Sequence, residues 1–135
     1  MATSHDIRVL ALQAMYALDM ADGREPEAVR LLVDRDEALC DPEEARGFRG
    51  VAPVPTPRPE FTPAERRRAF DLAKAAWDAR GEADAFFAEL APTWPANRQP
   101  VIDRSILRLA WQEMRAGKAP LRVVVSEAIE LARAF

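Results

Sequence analysis

Cysteine is nearly absent from this sequence. Cys40 stands alone, which rules out an internal disulfide and any cysteine-based metal site. Histidine is as scarce: with His5 alone, a zinc site would need mostly carboxylate ligands, and none are spaced for it. No stretch is long and apolar enough to span a bilayer, and the opening MATSHDIRV lacks the apolar core of a signal peptide. The expectation is therefore a cytoplasmic protein without membrane contact. There is no Ser/His/Asp arrangement and no glycine loop to cradle phosphate, while Glu43 and Glu44 lie in a loop with no partner base. No enzyme activity and no cofactor are expected. A surplus of positive charge is missing too: the formal net charge is -3 and the pI about 5.3. Stand-alone nucleic-acid binders are usually basic, because neutralising phosphates drives their affinity. That balance counts against tight RNA binding by the chain alone. It leaves room for a local basic edge, or for an RNA site shared with a basic partner.

What is present is an ordinary globular balance over 135 residues, 49% hydrophobic and 30% charged, enough for one domain with one core. Glycines number five and prolines eleven, and the uneven spread of the prolines locates the loops. Ile7, Leu10, Ala11, Ala14, Met15 and Leu18 recur at steps of three and four, one face of a helix capped by Thr3 or Ser4. Arg8, Leu12, Tyr16 and Asp19 fall on another side. Pro26 opens a second helix to about Leu39, with Ala28, Val29, Leu32 and Val33 as its apolar positions. Between Cys40 and Phe61 the alternating Pro53, Pro55, Pro57 and Pro59 favour extended polyproline geometry, an irregular excursion between helices.

Thr62-Pro63-Ala64-Glu65 carries every feature of a helix start. Its helix turns Ala69, Phe70, Ala73, Ala76 and Trp77 inward and is stopped by Gly81. A fourth, Glu82 to Leu90, is expected to bury Ala83, Phe86, Phe87 and Leu90. A packed loop with Trp94 follows. The fifth helix, Val101 to about Ala116, buries Ile102, Ile106, Leu109, Ala110 and Met114 and carries a polar stripe of Arg104, Arg108, Gln112 and Arg115. Gly117 ends it. After Pro120 the last helix aligns Val124, Val125, Ala128, Ala132 and Phe135. The fold class is all-α: six helices, no strand and no internal repeat.

Two segments resemble the NusB family. One is ALQAMY, Ala11 to Tyr16. The other runs almost continuously from near Asp84 through Trp94 and Arg98, VIDRSILRLAWQEM (Val101 to Met114) and APLRVVVSEAIELARAF (Ala119 to Phe135). Together they cover roughly half the chain, and the proline-rich middle is not diagnostic. The resemblance implies a single NusB-like domain of two packed helical subdomains, residues 4–90 and 91–135. It implies a role in transcription antitermination on ribosomal RNA operons, within the RNA polymerase antitermination complex. There the family holds a boxA-type RNA element together with its protein partner NusE.

The same resemblance assigns RNA contacts to His5, Arg8, Tyr16 and Phe135. The family grips RNA through an arginine-rich start of the first helix, and arginine's planar fork suits phosphate and base edges. Here Arg8 keeps a family arginine position, Ser4 and His5 replace other basic residues, and Asp6 opposes them. Arg8 also reads as a solvated helix residue, Tyr16 as a core cap and Phe135 as a packing residue. Asp103 and Arg104 are carried over as contacts to NusE. From the residues themselves, Arg108 and Glu127 read as a buried ion pair tying the fifth and sixth helices. Arg66-Arg67-Arg68 reads as a solvated charge run or a substitute basic patch. The family pattern continues beyond the equivalent of Phe135 with a further helix. A truncated chain, or an apolar groove open to a partner or to a second copy in a homodimer, is the corresponding expectation. Two other readings stand beside RNA binding: an adaptor of the same fold that keeps only protein contacts, and a detached NusB-like domain of an rRNA cytosine methyltransferase.

Overall fold

The computed structural model describes residues 2–34 and 59–135. Among these, all regular structure is helical: α1 (Ser4–Met20), α2 (Pro26–Asp34), α3 (Pro63–Asp78), α4 (Arg80–Leu90), α5 (Val101–Ala116) and α6 (Leu121–Ala134), with one short 3-10 turn at Ala96–Arg98. The expected end of the second helix near Leu39, Cys40, Glu43, Glu44 and the prolines from Pro53 to Pro57 lie outside the described residues. No described helix is long and apolar enough to cross a membrane.

Local chemistry sets the helix ends. Thr3 accepts a hydrogen bond from the Asp6 amide at 3.1 Å while the Asp6 carboxylate accepts one from the Thr3 amide at 2.7 Å. Thr62 and Glu65 repeat the device at 3.2 and 2.9 Å, with Pro63 as the first helical residue. Each box satisfies two amides that have no partner inside the helix. Gly117 ends α5 in the left-handed region at φ 66°, as its position in the sequence indicates.

Helix α1 lies at the centre, packed against α3 on one side and α5 on another, with α2 closing over α1 and α3. Its expected stripe is fully buried. Leu12, placed on the opposite side by the sequence pattern, is buried as completely at 1% exposure, because α5 covers that side. Burying such a leucine is worth about 2 kcal/mol. A helix enclosed on two sides needs apolar groups beyond a single stripe. Ala69, Ala73, Ala76 and Trp77 of α3 and Ile102, Ile106 and Leu109 of α5 complete the core.

The periphery departs from expectation in several places. Helix α3 ends at Asp78, and the chain turns at Ala79 (φ -93°, ψ 7°), so Gly81 sits in the first turn of α4 instead of stopping α3. Of the apolar residues expected inside α4 only Ala83 is buried. Phe86 is 44% and Leu90 68% exposed, because α4 packs on α5 and the end of α3 along one narrow edge. Phe87 is half-buried, with Phe86 edge-on to it at 5.2 Å between centroids. Trp94 in the following loop is largely exposed, and the buried Gln99 side chain holds the loop by donating to the Trp94 carbonyl at 2.9 Å. Ala28 of α2 is exposed while Val29 and Val33 are buried. In α6 Val124 and Leu131 are buried, and Val125 joins Leu121 and Ile129 in an exposed apolar row.

Candidate functional site

Two clusters of charged side chains sit at the two ends of α1. At its C-terminal end, Asp19 is only 7% exposed and accepts from two arginines of α5: Arg104 Nε at 2.7 Å and Nη2 at 2.5 Å, and Arg108 Nη1 at 3.0 Å. Arg108, 8% exposed, reaches on through Nε and Nη2 to both carboxylate oxygens of Asp84 on α4, at 2.9 and 2.8 Å. Positive and negative groups thus alternate from Arg104 through Asp19 and Arg108 to Asp84, joining three helices. The hydrogen bond to Asp19 holds the Arg104 guanidinium above its ordinary value, against the opposing effect of burial. Arg104 and Arg108 are four residues apart, so α5 presents both on one face.

This network corrects the expected pair of Arg108 with Glu127. Arg108 bonds to Asp19 and Asp84, and Glu127 meets His5 instead. Arg108 faces α1 and α4, whereas α5 turns its other side, with Glu113 five residues on, toward α6. Five residues rotate the helix by about 140°.

Beside the network opens a cleft of about 510 Å³, bounded by Asp19, Asp22, Trp77, Arg80, Asn97 and Arg104 among others. Arg80 lies over the Trp77 ring at 3.9 Å and donates to the Trp77 carbonyl at 2.9 Å. Gly23 packs closely on the Trp77 indole. At φ 71° it takes a conformation that suits glycine, and a Cβ there would stand 2.5 Å from the Trp77 indole nitrogen. Asp103 is half-buried in the first turn of α5, where a carboxylate suits the helix dipole.

At the N-terminal end of α1, Arg8 grips Glu113 of α5 with Nε (2.9 and 3.1 Å) and Nη2 (3.0 Å), and both side chains are 13% exposed. That hydrogen bond is the main cause that raises Arg8 above its ordinary value; burial opposes it. One turn earlier, His5 Nδ1 lies 2.6 Å from Glu127 Oε2 of α6. Tyr16 and Phe135 are half-buried and pack against the core. His5 and Arg8 are therefore brought together, whereas Tyr16 lies two turns along α1. Among the Arg66–Arg68 run, Arg66 donates to the Asp34 carbonyl and ties α3 to α2, while Arg67 and Arg68 are exposed.

The sequence pattern does not single out Asp19, Asp84 and Glu113 as the partners of these arginines. The four-residue spacing of Arg104 and Arg108 was the available signal, since two cations on one buried face require acids opposite. The described residues contain no group of acids, histidines and cysteines able to hold a metal ion.

A family model described as the NusB family matches residues 5–135. Among curated relatives, a transcription antitermination protein NusB from Herpetosiphon aurantiacus is 31% identical over 135 residues, covering 97% of this chain and 77% of the relative. One from Chloroflexus aggregans is 31% identical, covering 97% of this chain and 74% of the relative. That of Symbiobacterium thermophilum is 35% identical over 130 residues, 95% of this chain and 74% of the relative. No solved structure matches the chain. The relatives are named as antitermination proteins and not as enzymes, and the family match takes in both clusters at the ends of α1: the chain belongs to the NusB family.

Proposed function

We propose that this chain acts in transcription antitermination by holding a boxA-type RNA element at the start of α1, together with NusE docked near the start of α5. The family match across residues 5–135 carries the proposal. The geometry is compatible with two separate contacts, because Arg8 and Asp19 are eleven residues apart, about 16 Å along the helix axis. Glu113 occupies Nε and Nη2 of Arg8 and leaves Nη1, which has no partner among the described residues, able to take a further acceptor such as a phosphate oxygen. On the other side, Arg104 lines the cleft that contains Arg80 and Trp77, and Asp103 precedes it in the first turn of α5.

A second reading, an adaptor without RNA binding, is favoured by one observation: both His5 and Arg8 at the start of α1 already have carboxylate partners. Titrating labelled boxA-type RNA with the chain, with and without NusE, separates the two. RNA binding through two or three phosphates gives a slope of log K against log salt of about -1.5 to -2 for a single strand, with tighter binding when NusE is added. Silence at every salt concentration, with NusE present, overturns RNA binding and leaves the adaptor.

A further inference from the structure

The cluster at the start of α1 holds more acid than base. Arg8 is matched by Glu113, and Glu127 has His5 as its hydrogen-bonded partner at 2.6 Å. The charged groups around this spot come from each helix that meets there: Arg8 and His5 from α1, Glu113 from α5 and Glu127 from α6. Asp6 is turned away into the Thr3 cap, and α3 contributes apolar Leu72. With the imidazole neutral, the four groups carry one negative charge in excess. With it protonated, they balance. Glu127 also acts on Arg8, as one of the charges that favour its protonated form. The His5 and Glu127 side chains are 40% and 23% exposed, so water and protons reach the pair.

We infer that His5 and Glu127 form a proton-operated gate on RNA affinity: neutral His5 leaves the Glu127 charge to repel phosphate, and protonated His5 cancels it. The inference rests on the RNA-binding reading above. Histidine is the side chain that ordinarily changes charge between pH 5 and 8, and His5 is the sole histidine of the sequence. One carboxylate removed from the phosphate path is worth about fivefold in affinity, the factor carried by one charge contact in water.

The test is fluorescence anisotropy of labelled boxA-type RNA with the chain and NusE at fixed ionic strength, at pH 8 and pH 6. Circular dichroism checks that each protein keeps its helices at both values. Wild type should bind about fivefold tighter at pH 6. H5Q should lose that dependence, and E127Q at pH 8 should match wild type at pH 6. H5Q removes the His5 contribution, so any titration in NusE remains visible as a shared background. An equal pH response in wild type and H5Q, or an E127Q no tighter than wild type at pH 8, overturns the gate and leaves RNA binding standing. No binding by any of the three proteins at either pH overturns both.

Discussion

Asp19→Asn is the most informative single change. The substitution keeps size and shape but removes a charge that faces two guanidinium groups, and it turns an NH2 toward donors. Three hydrogen bonds of 2.5 to 3.0 Å are compromised at once. Removing one partner from a fully buried ion pair costs about 3–5 kcal/mol. Here Arg108 retains both bonds to Asp84, and Arg104, 22% exposed, can recover some hydration. The lower end, about 3 kcal/mol, is therefore expected. For a chain of this length that lowers Tm by about 10 °C. Urea unfolding followed by helical circular dichroism measures it, and a double-mutant cycle with Arg108→Met isolates the pairwise part, expected at about 1–3 kcal/mol. Glu127→Gln serves as the comparison, with a cost under about 1 kcal/mol because its pair with His5 is open to water. A loss below about 1 kcal/mol for Asp19→Asn would refute the reasoning. So would a coupling to Arg108 that appears with Glu127 and not with Asp19.

Two further changes probe the scaffold. Gly23→Ala forces a Cβ to within 2.5 Å of Trp77 Nε1 in a left-handed conformation, so a loss of about 1–3 kcal/mol is expected; an unchanged Tm would contradict the close approach. Thr62→Ala removes the cap of α3 and should cost about 1 kcal/mol at neutral pH in thermal melts. The Thr62 amide, as hydrogen-bond donor, lowers the Glu65 carboxyl below its ordinary 4.5, so the box contributes above that value and its contribution fades as acid protonates Glu65. An NMR titration with a Glu65 midpoint at or above 4.5 would contradict this account.

Local signals in the sequence were sufficient wherever a residue answers to its own helix. The Ile7–Leu18 stripe, the Thr62–Glu65 start and the Gly117 stop are all found where spacing and turn chemistry put them. Signals failed where a second helix decides. Leu12 looks outward on a wheel of α1 alone and is buried because α5 lies over it. Phe86 and Leu90 look inward by their character, yet α4 touches its neighbours along one edge only. The Arg108–Glu127 expectation recognised two charges in apolar surroundings. It paired them wrongly, since which acid meets which base depends on the rotation of α5 relative to α1, α4 and α6. The candidate site was half legible for the same reason: His5 and Arg8 were named, but not Glu127 and Glu113 as the acids that meet them.

The run from Arg104 to Asp84 has a mechanical consequence. A greasy contact between helices survives sliding, because one methyl group replaces another at small cost. Forked guanidinium groups do not permit this. Advancing α1 by a single residue, about 1.5 Å, would lift Asp19 off both arginines and strand charges away from water. Helix α1 is thus indexed lengthwise against α5 as a toothed rack is against its pinion, and the same index sets how far its opposite end, with His5 and Arg8, projects beside α6.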